Sequence, residues 1–227
     1  EEFADPDESV NLIIKKMFIL PWPLKDKLFC LLRYITAPLN EMEKMVPKKG
    51  KILDIGCGHG LFELILKSKS NKRVITAIDP DSKKIQLAKK IEELFTNLKF
   101  SDSTTNLTNN NYQMDCCILS DVDYLLDGKG KTQILQQAKF NLKNTGTIIF
   151  KTVINNGSIG YYLGYLQELI IVSLLKKTYS KKNNFTFFTI EEYLKLFKAN
   201  NLSVKKQKKL KTLFYHPHYV FLLKKIK

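Results

Sequence analysis

The stretch KILDIGCGHGLFELIL, residues 51–66, places three glycines within five positions, between an apolar run and a segment with helical spacing. The run KILDIG is short and apolar, as expected of a buried strand, and Leu61 begins the helical pattern. Glycine permits backbone conformations and close approaches that a side chain would prevent. Gly56, Gly58 and Gly60 therefore predict a loop that lies directly against a small ligand or forms a tight turn.

Strand-like and helix-like segments alternate after this loop. Apolar and β-branched runs predict strands, and apolar residues at steps of three or four predict helices. The alternation predicts an α/β fold, a doubly wound and mostly parallel sheet with helices on both faces. The predicted strands are 51–56, 73–79, 98–100, 114–122 and 147–153, and the predicted helices are 61–68, 82–94 and 131–142.

The two ends of the chain depart from this rhythm. Two helices are predicted before the first strand, split by the sequence PWP, and they either cap the ligand side of the sheet or pack on its back. Pro217 lies in a short connection between the last two strand-like runs, which predicts that these strands are antiparallel. The segments concerned are helices 10–20, 25–34, 159–175 and 189–199, and strands 202–213 and 219–226.

Positive charge is concentrated in the second half of the chain, which has a formal net charge of +15 over 227 residues. From Lys176 onward there are 14 lysines and two acids, whereas the first ten residues contain five acids and no base. Such a distribution is typical of proteins with an anionic partner: nucleic acid, phospholipid head groups or an acidic carrier protein. A compositional bias of the genome explains it equally well.

Several classes of protein are excluded or disfavoured by composition. No 18 consecutive residues are free of polar interruption, so an integral membrane protein is not expected. The acidic start lacks the basic region of a signal peptide. No CxxC or histidine-ligand spacing occurs, so we expect reduced thiols, a cytoplasmic location and no metal site. The cysteines are Cys30, Cys57, Cys116 and Cys117.

The spacing of the glycines separates three kinds of nucleotide loop. A Walker loop requires GxxxxGK[ST], which is absent, and a dinucleotide fingerprint requires GxGxxG, whereas here the spacing is GxGxG with Leu61 next. Asp54 lies two residues before the first glycine. Its carboxylate would repel a pyrophosphate but could pair with an ammonium group.

The sequence ILDIGCGHG resembles motif I of the class I S-adenosylmethionine-dependent methyltransferases, a hydrophobic run followed by D/E-x-G-x-G-x-G. Asp54, Gly56, Gly58 and Gly60 match its defining positions. The resemblance covers about residues 46–153. It implies a seven-stranded sheet with an antiparallel last strand, S-adenosylmethionine as methyl donor and S-adenosylhomocysteine as product.

The resemblance also assigns roles to acids at the ends of the next three strands. Asp79 would accept hydrogen bonds from both ribose hydroxyls, Asp102 would face the adenine amino group, and Asp121 in LSDVDYLL would lie near the methionine part and the methyl group. Asp79 could in addition cap the following helix, with Pro80 at its first position. The other residues expected to bind the cofactor are Cys57, His59, Pro80, Ser103, Ser120 and Val122.

Methyl transfer from a sulfonium is an in-line displacement for which the protein mainly supplies proximity and alignment. A general base, where one is needed, would lie at the carboxyl ends of strands four and five or in the connection FYHPHY. His216 and His218 are the candidates, because histidine titrates near neutral pH. Paired histidines in a turn are more often surface or packing residues, and Tyr215 and Tyr219 are weaker candidates.

Two apolar segments suggest the acceptor. The predicted helix at 159–175 is apolar around most of its circumference, and LIIKKMFILPWPLKDKLF combines apolar residues, lysines and Trp22 as interfacial helices do. They predict a small lipid-like or acyl acceptor, at an anionic membrane face or on an acidic acyl carrier protein. Packing of the two segments on each other explains them equally well.

We therefore expect a single methyltransferase domain, cytoplasmic or peripheral at the inner membrane face. Its parts would be a helical cap at 1–45, a cofactor-binding core at 46–153, an acceptor lid at 154–200 and a strand pair at 201–227. Two alternatives remain. An RNA methyltransferase would use the basic face at 176–211, and a non-catalytic partner protein would bind the cofactor alone. Amino-directed nucleic-acid methyltransferases are disfavoured, because SDVD stands where [DN]-P-P-[YF] is required.

Overall fold

The computed structural model describes residues 6–102, 112–163, 186–212 and 217–226, with side chains from residue 12 onward. None of the helices in these ranges is long and apolar enough to cross a membrane. The strands are β1 Gly50–Ile55, β2 Arg73–Ile78, β3 Leu98–Ser101, β4 Met114–Ser120, β5 Leu142–Val153, β6 Leu202–Lys209 and β7 His218–Lys225. The helices are α1 Pro6–Ile19, α2 Leu24–Thr36, α3 Leu39–Glu43, α4 Leu61–Lys69, α5 Ser82–Glu92, α6 Gly128–Asn141 and α7 Ile190–Ala199.

The seven strands form one sheet in the order β3-β2-β1-β4-β5-β7-β6. Strands β1 to β5 pair in parallel, and β7 is antiparallel to both of its neighbours. The predicted fold class is confirmed. Strand order reverses between β1 and β4, and in open α/β sheets ligands bind outside the carboxyl ends of the strands at such a point.

Alternation along the central strands divides the core between the two faces of the sheet. Ile52 and Cys116 face a cluster with α1 to α5, whereas Leu53 and Cys117 face a cluster with α6 and α7. All four are fully buried, as expected of strands covered on both sides.

Some element boundaries differ from the predicted ones for local reasons. Helix α6 begins at Gly128 rather than at 131, because the Asp127 carboxylate caps it by accepting from Gly130 N at 2.7 Å. Strand β5 begins at Leu142, directly after that helix, rather than at 147. Of the predicted helix at 159–175, residues 159–163 are helical and the remainder lies outside the described residues.

Helix α2 lies across the carboxyl ends of β1 and β4. The sequence left two placements open for the first helices, a cap on the ligand side of the sheet or packing on its back, and α2 has the first of these. Trp22 anchors its beginning by donating from Nε1 to Leu87 O at 2.8 Å. Further along, Asp26 contacts His59 at 3.2 Å, and Arg33 forms a 2.7 Å ion pair with Asp121. The cap is therefore attached to the two loops that the sequence singles out.

Candidate active site

Two of the three loop glycines are required by packing. Gly56 has a φ of 93° and donates to Ile78 O at 2.6 Å, and a Cβ at this position would lie 2.0 Å from Val122 Cγ1. Gly60, with a φ of 79°, caps α4, and a Cβ there would lie 2.7 Å from the Phe100 ring. A side chain at either position would displace a neighbouring element.

Gly58 differs from the other two glycines. Its φ is 58°, but a Cβ built on it would meet no atom of the described residues within 4 Å. Its N–H donates to Asp79 Oδ2 at 2.9 Å, which ties the loop after β1 to the end of β2. The backbone at Gly58 is thus fixed in position while the space beside it is open.

Asp79 is buried, and each of its two carboxylate oxygens accepts a hydrogen bond from a backbone amide. Oδ2 accepts from Gly58 N, and Oδ1 accepts from Asp81 N at 2.9 Å. Asp81, rather than Asp79, caps α5 by accepting from the amides of Lys83 and Lys84, so the suggested cap role of Asp79 with Pro80 at the first helical position is wrong. The Asp79 carboxylate instead joins the glycine loop to the turn after β2.

Asp54 and Glu63 form a buried pair of carboxyl groups beneath the glycine loop. As ionised groups, neither Asp54 Oδ1 nor the two Glu63 oxygens finds a donor in the part of the chain that the structure describes. Burial, followed by the charge of Asp54, raises the pKa of Glu63 well above its usual range. Burial also raises the pKa of Asp54, to about 6, although the hydrogen bond from Glu63 opposes this rise. A proton on Glu63 that is donated to Asp54 joins the two carboxyl groups by a hydrogen bond.

Asp121 lies at the centre of a charged cluster at the carboxyl end of β4. Its Oδ2 accepts from Arg33 of α2 at 2.7 Å and from Lys151 of β5. Burial alone would raise the pKa of Asp121, but the charges of Lys151, Arg33 and His218 lower it to about 2. The carboxylate is therefore ionised throughout the physiological range, and its Oδ1 has no hydrogen-bond partner among the described residues.

A second buried network of hydrogen bonds surrounds Asp123, two residues after Asp121. The Tyr193 hydroxyl donates to Asp123, Thr152 Oγ1 lies 3.1 Å from that hydroxyl, and Lys131 Nζ donates to Asp123 O at 2.5 Å. Burial raises the pKa of Asp123 and lowers that of Lys131. This network fixes the segment after β4 to β5, α6 and α7.

The remaining predicted site residues are distributed around the same edge of the sheet. His59 is buried between the Trp22 and Phe29 rings and faces Asp26. Asp102 is exposed directly after β3, and His218 is the first residue of β7, paired with Val153. Cys57, Pro80, Ser120 and Val122 lie in the loops after β1 and β2 or at the end of β4, and Ser103, Tyr215 and His216 lie outside the described residues.

Three charged residues of the site were missed by the sequence reasoning: Arg33, Glu63 and Lys151. Glu63 and Lys151 each interrupt an otherwise apolar run, FELIL and TIIFKT, and both are fully buried. A charge at a position where the pattern demands an apolar residue is the signal that could have identified them. Among the described residues, no group of three His, Cys, Asp or Glu side chains could hold a metal ion.

Replacing Glu63 with Gln is expected to raise the free energy of unfolding increasingly from about pH 4.5 upward. Folded Glu63 keeps a proton that the unfolded chain loses, so the wild type loses stability as pH rises, at up to about 1.4 kcal/mol per pH unit for one proton. Gln carries no such proton and can still donate to Asp54. Urea unfolding between pH 4.5 and 8 measures the difference.

The matched control is Glu93→Gln, at a side chain that is 65% exposed. Its difference in stability from the wild type should be small at every pH measured, because the ion pair with Lys90 that it removes lies at the surface. A pH-independent difference between Glu63→Gln and the wild type would contradict the protonated pair.

Comparison with known proteins identifies the family. A family model described as a methyltransferase domain matches residues 27–207, most of the chain. No curated protein sequence matches the chain.

Solved structures show the same fold. The 1,6-didemethyltoxoflavin-N1-methyltransferase of Burkholderia thailandensis, solved with S-adenosylhomocysteine, superposes with a TM-score of 0.67 at 11% identity, covering all of this chain and 93% of its own. Mitomycin 7-O-methyltransferase superposes with a TM-score of 0.65 at 12% identity, and the match covers 82% of this chain and 53% of that enzyme. An O-methyltransferase of neocarzinostatin biosynthesis, solved with S-adenosylmethionine, superposes with a TM-score of 0.66 at 12% identity, and the match covers 88% of this chain and 56% of that enzyme. This chain thus spans little more than half the length of the latter two.

These likenesses show the fold. The chain belongs to the methyltransferase-domain family.

Proposed function

We propose that this methyltransferase binds S-adenosylmethionine in the crevice between the glycine loop and the ends of β2 and β4, and transfers the methyl group to a small lipid-like or acyl acceptor. The observation that carries the proposal is the open space beside Gly58, whose backbone is held by Asp79. A loop with open space at Gly58, beside a fixed carboxylate, suits S-adenosylmethionine, because this ligand has an amino-acid part next to a ribose.

The polar groups at this edge fit the cofactor. Asp79 retains lone pairs that can accept from both ribose hydroxyls, and the exposed Asp102 can accept from the adenine amino group. At the end of β4, Asp121 Oδ1 and Ser120 Oγ are buried, and no residue that the structure describes forms a hydrogen bond with either atom. They can accept hydrogen bonds from the ammonium group of the methionine part. The N-terminus of helix α4, which is the positive end of the helix dipole, would face the carboxylate of the methionine part.

His218 is the proposed general base for acceptors that must lose a proton. It lies at the start of β7, close enough to Asp121 for the two charges to interact. A nearby carboxylate stabilises an imidazolium, which lets the ring hold the proton of an acceptor hydroxyl or amine. The sulfonium of the donor supplies an activated methyl group, so the remaining task of the protein is alignment.

An apolar acceptor is supported by a cleft beside the end of α2. It has a volume of about 540 Å³, which is the size of small-molecule sites. Most of its exposed lining is apolar, contributed by Ile14, Tyr34, Ile35, Ala37, Pro38 and Leu39, and Asn40, Glu41 and Lys211 add polar and charged groups at its edge. Tyr34 is adjacent to Arg33, whose guanidinium reaches Asp121. The Burkholderia enzyme was solved with a bound small molecule, 1,6-didemethyltoxoflavin.

A basic surface favours a second candidate acceptor, RNA. Strand β6 lies at the edge of the sheet and exposes four lysines, Lys205, Lys206, Lys208 and Lys209. Edge lysines also prevent pairing with other strands, which accounts for them without a nucleic acid. The same surface could bind an acidic carrier protein that holds an acyl acceptor in the cytoplasm.

Incubation with methyl-labelled S-adenosylmethionine and a cell extract distinguishes these acceptors. We expect label in the organic-solvent extract, resistant to ribonuclease and only weakly dependent on salt. Asp79→Ala should reduce labelling at least tenfold, because hydrogen bonds from the ribose to a charged group are lost. Label confined to RNA, with a steep fall at high salt, would contradict the lipid-like acceptor.

Substitution of Gly58 tests the position of the cofactor. Gly58→Ala places a methyl group in the open space without a clash inside the protein, at a backbone cost of about 1–2 kcal/mol for the left-handed conformation. We expect the affinity for S-adenosylhomocysteine, measured by calorimetry, to fall at least tenfold while the chain remains folded.

Gly128→Ala is the matched control, because a Cβ there also meets nothing within 4 Å but lies in the first turn of α6. Its affinity should equal that of the wild type. Unchanged binding by Gly58→Ala would place the cofactor elsewhere.

A further inference from the structure

Helix α2 turns a continuous apolar stripe away from the protein. Leu24, Leu28, Leu32 and Ile35 are 65%, 48%, 58% and 45% exposed. Their spacing of four, four and three residues places them on one side of the helix. We call these four residues the outer face of α2. Four large aliphatic side chains in one exposed row are unusual on a protein surface that has no partner.

The inner face of the same helix is the more polar one. Cys30 and Tyr34 are buried in the apolar core on this face, but the buried Asp26 and Arg33 also lie on it and reach His59 and Asp121 at the edge of the sheet. Most surface helices turn their apolar side inward. In α2 the charged residues are directed to the site, so the leucines cannot be explained by packing on the core.

Positive charge surrounds the outer face. On a helical wheel Lys25 and Lys27 flank the stripe on opposite sides, and the end of α1 that leads into it exposes Phe18 and Ile19 by 40% and 77%. Between residues 12 and 35 the only acid is Asp26, which is buried, whereas there are four lysines besides Arg33, whose charge is paired with Asp121 on the inner face. This combination of exposed leucines and flanking lysines is typical of helices that lie in a membrane interface.

We propose that the outer face of α2 docks the enzyme on an anionic lipid bilayer. The leucines would enter the boundary between head groups and acyl chains, and the exposed Lys25 would contact lipid phosphates. Lys27, which donates to Phe18 O at 2.6 Å, adds positive charge on the other side of the stripe. The inference rests on the proposed lipid-like acceptor and names the surface through which the enzyme reaches it. Ile35 belongs both to this face and to the apolar cleft, so the cleft opens at the docked side.

A second copy of the chain is a poorer occupant. A two-fold contact through the stripe would bring the lysines of both copies together with no exposed acid between residues 12 and 35 to neutralise them. An anionic bilayer offers both an apolar region for the leucines and negatively charged head groups for the lysines. Charge complementarity therefore favours lipid over self-association.

Sedimentation of the full chain with vesicles tests the proposal. We expect binding to vesicles of phosphatidylglycerol and phosphatidylcholine at 1:1 and much weaker binding to phosphatidylcholine alone. The double variant Leu28→Ser and Leu32→Ser should lose at least tenfold in vesicle affinity, and Lys25→Gln should lose about fivefold. Calorimetry with S-adenosylhomocysteine and circular dichroism verify that each variant is folded.

The matched control is Phe140→Ser with Leu194→Ser, two apolar side chains on α6 and α7 that are 47% and 39% exposed. It should bind vesicles as the wild type does. Absence of wild-type binding, or equal binding by the leucine variant, would overturn the proposal. So would a dimer that the leucine variant dissociates while no vesicles bind.

A separate assay distinguishes failure of this surface from failure of the proposed function. Methyl transfer is measured with extracted lipids in detergent, where no bilayer is present. Transfer to lipid without vesicle binding would refute only the docking surface. Vesicle binding that depends on Leu28 and Leu32, without any labelled lipid, would refute only the acceptor.

Discussion

The hydrogen bond from Gly58 N–H to the Asp79 carboxylate is the interaction on which the site depends. It joins the loop after β1 to the end of β2, and through Asp81 it extends to the start of α5. Gly56 and Gly60 are fixed from the other side by Val122 and Phe100. The backbone of the loop is thereby fixed, and no side chain of the described residues covers it at Gly58. A preorganised backbone of this kind loses little conformational entropy when a ligand binds.

Around this loop, similar carboxyl groups are held in different protonation states by their surroundings. Glu63 has no cation nearby among the described residues and keeps its proton, whereas Asp121 is kept ionised by Lys151 and Arg33. Arg33 also couples the site to the cap, because it is carried by α2. One helix therefore has two tasks: its charged side completes the edge of the crevice, and its leucines are available to the membrane. The proposed docking and the proposed chemistry meet in this element.

The fold was predictable from the sequence because its signals are local. Glycine spacing and strand periodicity located β1, β2 and the loop between β1 and α4, and Pro217 marked the antiparallel connection. The contacts between distant residues were not predictable. The pairs Arg33–Asp121 and Asp54–Glu63 depend on how α2 and α4 pack, which no local pattern specifies. The helix cap was assigned to Asp79 rather than Asp81 for a related reason, since both acids suit a cap and only the tertiary hydrogen bond from Gly58 distinguishes them.

A crystal structure with S-adenosylhomocysteine tests the central claim most directly. The account predicts that the ribose hydroxyls lie within hydrogen-bond distance of the Asp79 carboxylate and that the amino-acid part crosses the open space beside Gly58. It also predicts that the Gly58–Asp79 hydrogen bond is unchanged. A ligand bound elsewhere, or a side chain filling the space beside Gly58, would contradict the account.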